Sequence, residues 1–207
     1  MFLSVIILAA GKGTRMNSSK PKVFHEIANY PLLYHVIDSI KQLKPNAFNI
    51  VISNEIVEKT KEISKLYKDQ NLKFSIQKKQ LGTGHAVKLT KDKIKNHETI
   101  IIIAYADTPF VPSDKIKKMI SQIKDGYNIS ILGFIASNPK GYGRVVKNDN
   151  EVIKIVEEVD LVEIFSRAQM KKAIGIARAS KGNFTKAYNE IEKIKKGLGD
   201  EHIIAGA

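Results

Sequence analysis

The 207-residue sequence contains no cysteine. Disulfides and thiolate metal sites are therefore excluded, and a reducing cytoplasm is the expected setting. No apolar run approaches the length a membrane-spanning helix needs, so no membrane partner is expected. The chain opens directly on an apolar strand-like segment, without a basic leader or a small-residue cleavage site, so no signal peptide is expected. Arginine is scarce: four of the 34 basic residues are Arg, at positions 15, 144, 167 and 178. Lysines are scattered through nearly every helical stretch and are not interleaved with aromatics. The net charge of +13 therefore reads as solvated lysine faces rather than a nucleic-acid footprint. It still raises the local concentration of anionic substrates. There is no internal repeat, linker or low-complexity tract.

What is present is a globular composition, 43% hydrophobic, of a length suited to one large α/β domain. Val5 to Ala10 is an unbroken apolar run rich in Val and Ile, too short for an ordinary helix. It fits a strand buried on both faces of a parallel sheet. The run ends at Gly11 and Gly13, where the backbone can turn sharply and a ligand can approach without a Cβ in the way. Lys12 and Arg15 add positive charge at the mouth of that turn, which suggests a phosphate site. The dinucleotide fingerprint would need a small residue where Met16 stands. The P-loop would need Gly-Lys-Ser/Thr after a longer spacing. The alternative is a tight turn after an edge strand with chance basic neighbours.

Further along, Pro31 opens a helix carrying Leu32, Leu33, Val36, Ile37 and Ile40, up to about Leu43. Phe48–Ser53 is a second buried strand. Glu55–Tyr67 reads as a helix with Ile56, Ile63 and Leu66 inward, and Lys73–Gln77 as a third strand. Gly82-Thr83-Gly84 then opens a helix from about His85 to Leu89. Its backbone N–H groups and the Thr hydroxyl make a nest suited to a base or phosphate. The Gln77 amide can donate and accept, as reading a pyrimidine edge requires. A glycine-rich β–α turn with an N-cap accounts for the same residues equally well. His85, at a helix start, receives no chemical role.

Thr99–Ala106 is the most hydrophobic run and the expected central strand. It ends in Asp107-Thr-Pro109. A carboxylate at the carboxyl end of a central parallel strand stands where open α/β sheets bind ligands, and it is a natural Mg²⁺ ligand. Its alternative role is a helix N-cap. Pro112-Ser113-Asp114 starts a helix to about Lys124, and Ile129–Ala136 is another strand. A hairpin pairs Val145–Lys147 with Val152–Val156, turned at Asn148–Asn150. Ala173–Ala177 suggests a short strand, and Asn183–Lys196 an amphipathic helix.

Four segments stand in order: Leu8-Ala-Ala-Gly-Lys-Gly-Thr-Arg-Met16, Pro21-Lys22-Val-Phe-His25, Gln80-Leu-Gly-Thr-Gly-His-Ala86 and Tyr105-Ala-Asp-Thr-Pro109. Gly141-Tyr-Gly-Arg144 and Ile155-Val-Glu157 follow. Together they resemble the N-terminal uridylyltransferase (pyrophosphorylase) domain of bacterial bifunctional N-acetylglucosamine-1-phosphate uridyltransferase / glucosamine-1-phosphate acetyltransferase. The first segment is shared by many nucleotidyltransferases, whereas the Gln80–Ala86 block is more specific. Coverage runs from residue 3 to about 158.

The resemblance implies a Rossmann-like nucleotidyltransferase fold, a mainly parallel sheet flanked by helices, over a single domain 1–207 whose last part, from about 160, diverges. It implies formation of UDP-N-acetylglucosamine and pyrophosphate from UTP and N-acetylglucosamine 1-phosphate, with Mg²⁺. Arg15 and Lys22 would be catalytic, neutralising the triphosphate and the sugar phosphate. Leu8, Ala9, Ala10, Gly11, Gln77, Gly82 and Thr83 would bind the nucleotide. Tyr105, Ala106, Gly143 and Glu157 would serve the sugar side, and Asp107 the metal. The family has Gly where Ala106 stands, usually Lys where Val159 stands, and Asn-Thr-Gly where Ala173-Ile174-Gly175 stands. Its second metal ligand and its hexapeptide-repeat acetyltransferase domain have no counterpart in these 207 residues, and a monomer is expected. The alternatives are a nucleotide-binding chain with impaired catalysis, and a cytidylyl- or guanylyltransferase of the same fold.

Overall fold

The computed structural model describes residues 2–11, 13, 16, 18–94, 99–137, 142–148, 151–156 and 174–179. The fold is built around β1 (Phe2–Ala9) and β6 (Thr99–Tyr105), the two apolar runs of the sequence. They pair in parallel, Leu8 opposite Tyr105. Between them in the chain come α1 (Leu32–Lys41), β4 (Ala47–Ile52), a 3-10 helix (Asn54–Lys59), α2 (Thr60–Leu66), β5 (Leu72–Ile76) and α3 (Thr83–Lys88). A small ribbon of β2 (Glu26–Ile27) and β3 (Tyr30–Pro31) precedes α1. After β6 come α4 (Ser113–Lys124), β7 (Ile129–Leu132), the hairpin β8 (Arg144–Asn148) and β9 (Glu151–Val156), and β10 (Ile174–Ala179).

The main sheet has the order β5-β4-β1-β6-β10-β7. β5, β4, β1 and β6 run parallel, and β10 is antiparallel to both of its neighbours. The chain moves from β1 outward to β4 and β5, then returns to place β6 on the other side of β1. That reversal is a topological switch point between β1 and β6, and open α/β sheets bind ligands at the carboxyl ends of strands there.

Side chains alternate across the sheet. Val5, Ile7 and Ala9 of β1, Phe48, Ile50 and Ile52 of β4, and Ile100, Ile102 and Ala104 of β6 pack against α1, α2 and α4. Ile6, Val51, Ile101 and Ile103 face the other way, with Ala86 and Val87 of α3. Fully burying each aliphatic side chain is worth roughly 1.5–3 kcal/mol, so this two-faced sheet is the main source of stability. A buried polar pair interrupts the α3 face: Asn49 Nδ2 donates to Ser4 Oγ at 3.0 Å.

The structure corrects the helix expected over Glu55–Tyr67. Its first part, Asn54–Lys59, is 3-10, and α2 begins only at Thr60. Ile63 and Tyr67, one helical turn apart, take the inward positions, so Leu66 falls outside the stripe and is half exposed. The strand expected over Ile129–Ala136 ends at Leu132, where its partner β10 begins at Ile174. The hairpin forms as expected; its turn at 149–150 and the helix expected over 183–196 lie outside the described residues.

Candidate functional site

Alternation along β1 and β6 decides which residues reach the switch point. Leu8 and Ala10 share the α3 face with Tyr105, and beyond the end of β6 that parity passes to Asp107. These four, with Gly11, Lys22, Val23, Gln77, Gln80, Gly82, Thr83 and Ala86, line a cleft of about 260 Å³. The two Gly-containing segments and the carboxylate, far apart in sequence, therefore meet in one place.

Lys22 enters from a 3-10 helix (Lys22–Phe24) in which Val23 and Phe24 are buried as anchors. Its Nζ lies 2.7 Å from Asp107 Oδ2. Both side chains keep some exposure, 32% for Lys22 and 17% for Asp107, so a ligand can reach the pair. Gly13 packs behind Lys22 with φ +60°, and a Cβ there would stand 2.8 Å from Lys22 Cβ. Only glycine allows this approach. Asp107 does not cap a helix: the turn after β6 closes by Thr108 N–H donating to the Tyr105 carbonyl, and α4 starts only at Ser113.

On the opposite wall, β5 ends at Ile76 and Gln77 follows, its N–H bonded to the Ile52 carbonyl at 2.8 Å. Gln77 Nε2 donates to the Gly82 carbonyl at 3.0 Å and sits 3.0 Å from His85 Nδ1. The amide thus braces the loop as well as lining the cleft. Gly82 has φ +89°, the left-handed region that favours glycine, and leads into α3. The chain after α3 is pinned back to β5 by Lys93, whose ammonium donates to Ser75 Oγ at 2.6 Å and to the Phe74 carbonyl. Burial, and then the charge of Lys73, push the Lys93 ammonium below the usual lysine range.

Ala9 and Ala106 are buried in the core on the α1 face, so only their backbone can serve the site. The Ala106 N–H is taken by the Leu8 carbonyl at 3.1 Å. Gly143 directly precedes β8 and is not among the cleft-lining residues. Arg15 and Glu157 lie outside the described residues. Val23, Gln80 and Ala86 line the cleft without having been assigned a role from sequence; all three sit inside the quoted motifs.

One carboxylate beside an open cleft suits Mg²⁺, which is commonly held by one or two carboxylates and completed by substrate phosphates and water. Among the described residues no cluster of three or more His, Cys, Asp or Glu could hold a metal by itself. Asp107 is the residue that would hold the ion. None of the described helices is long and apolar enough to cross a membrane.

Residues 5–158 match the family described as MobA-like NTP transferase domain. The chain is 42% identical over 158 residues to the bifunctional protein GlmU of Buchnera aphidicola subsp. Schizaphis graminum, covering 76% of this chain and 33% of that protein. It is 41% identical over 167 residues to the bifunctional protein GlmU of Clostridium kluyveri (strain ATCC 8527), covering 79% of this chain and 35% of that one. The chain thus spans about a third of the length of these curated relatives. Among solved structures, the inositol-1-phosphate CTP transferase from T. maritima superposes with a TM-score of 0.70 at 17% identity, over 97% of this chain and 76% of that one.

Proposed function

Because the chain belongs to the MobA-like NTP transferase family and is a nucleotidyltransferase, we propose that it joins UTP and N-acetylglucosamine 1-phosphate to give UDP-N-acetylglucosamine and pyrophosphate, with Mg²⁺. The observation that carries this reading is the Lys22–Asp107 pair at 2.7 Å, set between the glycine turn after β1 and the Gln77–Thr83 wall. A cation and a carboxylate at a switch point give a place where a triphosphate chain and its counter-ion can be held together.

In this reading the sugar 1-phosphate oxygen attacks the α-phosphorus of UTP and the pyrophosphate leaves. The Gly11 backbone lets the triphosphate lie close to the end of β1. Lys22 swings from Asp107 to the phosphates and neutralises charge as it develops. Asp107 would hold the Mg²⁺, which would supply further charge neutralisation to the phosphates. Arg15 adds a second cation. Gln77, Gly82 and Thr83 read uracil, with Leu8, Ala9 and Ala10 bordering the nucleotide. Tyr105, Ala106, Gly143 and Glu157 serve the sugar. No covalent residue is needed; positioning and charge do the work. The reading takes 1–207 as a single nucleotidyltransferase domain acting as a monomer in the cytoplasm, and light scattering tests the monomer.

Pyrophosphate release from UTP, Mg²⁺ and N-acetylglucosamine 1-phosphate is the deciding assay, and folded protein that releases none refutes the reading. A second reading, a cytidylyl- or guanylyltransferase, is favoured by the broad family match and by the CTP transferase named among the structural neighbours. Replacing UTP by CTP, GTP or dTTP in the same assay separates the two.

A further inference from the structure

We infer that His85 is a positioning residue that, together with the Gly82 carbonyl, holds the Gln77 amide with its oxygen offered to the base, and thereby favours uracil over cytosine. This rests on the nucleotide reading above and adds to it a rule of base selection.

Gln77 Nε2 lies 3.0 Å from the Gly82 carbonyl oxygen and 3.0 Å from His85 Nδ1. A carbonyl oxygen only accepts, so the end of the amide that faces Gly82 must be the NH₂ group. Its other hydrogen points to His85, and Nδ1 must then carry a lone pair. His85 is therefore the neutral tautomer with its hydrogen on Nε2. Turning the amide over would set Oε1 against the Gly82 oxygen and exchange that hydrogen bond for a repulsion between two acceptors. Both amide hydrogens are thus spent inside the protein, on a residue only 4% exposed. Oε1 remains, an acceptor with no hydrogen-bond partner among the described residues, on a side chain that lines the cleft.

An amide with only an acceptor to offer favours a ring edge that carries an N–H. Uracil and thymine present one at N3, and guanine at N1. Cytosine N3 and adenine N1 present a lone pair, which the oxygen would face unsatisfied. A buried polar group left unpaired in this way is how a site rejects an analogue of nearly the same shape. Gly82 supplies its half of the lock through the backbone and cannot be mutated away. His85 supplies the other half through its side chain.

The test compares the wild-type protein with His85→Leu and His85→Asn. Binding of UTP and of CTP is measured by calorimetry, and kcat and KM for each are measured with the sugar phosphate. The wild type is expected to prefer UTP by at least tenfold. In His85→Leu the UTP:CTP preference falls about tenfold, the share of one hydrogen bond, and the loss shows in KM for UTP rather than in kcat. His85→Asn sets a carbonyl oxygen near the former Nδ1 and restores the preference to within about threefold of wild type. An unchanged preference in His85→Leu, or a His85→Asn protein as unselective as His85→Leu, overturns the inference. Should His85→Leu fail to fold, ¹⁵N NMR of the wild-type imidazole decides: hydrogen on Nε2 upholds the lock, and hydrogen on Nδ1 refutes it. A wild-type protein that binds neither nucleotide overturns the functional reading as well, whereas UTP binding with unmoved selectivity overturns this inference alone.

Discussion

Gly13→Ala perturbs the point where the glycine turn meets Lys22. Gly13 sits at φ +60°, and an added Cβ would stand 2.8 Å from Lys22 Cβ. Two costs add. A non-glycine residue in the left-handed region costs roughly 1–2 kcal/mol, and overpacking against an atom next to the backbone costs roughly 1–3 kcal/mol. The clash is with Cβ, not with the far end of a flexible chain, so Lys22 cannot escape it by rotating. Allowing the loop to give up part of the strain, about 2–3 kcal/mol remains. At this chain length each kcal/mol lowers Tm by roughly 2–4 °C, so a fall of about 4–12 °C is expected by calorimetry. Displacing Lys22 by about 1 Å should also cost on the order of 10²-fold in pyrophosphate release. The control is Gly11→Ala, where nothing lies within 4 Å of an added Cβ and φ is not positive; its Tm should stay within about 1 °C. A Gly13→Ala protein that melts and turns over like wild type would refute the close packing of the turn against Lys22.

Lys22→Ala should slow turnover by roughly 10²–10³ and move Tm little, because a partly exposed ion pair is worth about 1 kcal/mol or less; Asp107→Asn should abolish Mg²⁺-dependent turnover in the same assay. Asn49 Oδ1 is buried without a partner, so the double variant Ser4→Ala/Asn49→Leu should be neutral or stabilising in urea unfolding, whereas Asn49→Leu alone, which strands Ser4 Oγ, should destabilise by about 1–3 kcal/mol. Burial, and then the charge of Glu62, raise Tyr34 from 10.0 to about 12. The unfolded chain therefore ionises first, and stability is lost as pH rises from about 10 to about 12. Tyr34→Phe should lessen the slope of the urea-midpoint profile across that window without removing it, because burial also raises Tyr67; an unchanged slope would show that Tyr34 does not contribute.

β1, β6, α1 and α4 were legible because their signals are local. Strands buried on both faces are continuous apolar runs, and α1 carries an unmistakable stripe from Leu32 to Ile40. Leu66 was misplaced because a 3-10 turn over Asn54–Lys59 shifts the helical phase, and nothing in the residues announces that shift. The antiparallel insertion of β10 between β6 and β7 depends on a segment more than 40 residues beyond β7, a pairing periodicity does not reveal. In the site, the motifs bring several of their residues to one cleft, but which side chains face it depends on strand alternation. Ala9 and Ala106 stand beside cleft residues in sequence and point into the core, as strand alternation requires. From sequence, the Gln77 amide is expected both to donate to and to accept from a base. In the fold its Nε2 donates to the Gly82 carbonyl and lies 3.0 Å from His85 Nδ1, a neighbour eight residues away that only the fold brings to it.

The central claim is that the turn after β1, Lys22 and Asp107 enclose one nucleotide triphosphate. A crystal structure of the protein grown with UTP and Mg²⁺ tests it most directly. The triphosphate is expected beside Gly11, within contact distance of the Lys22 ammonium, with the ion between the phosphates and Asp107. A nucleotide bound elsewhere on the molecule, with the Lys22–Asp107 pair undisturbed, would contradict the account.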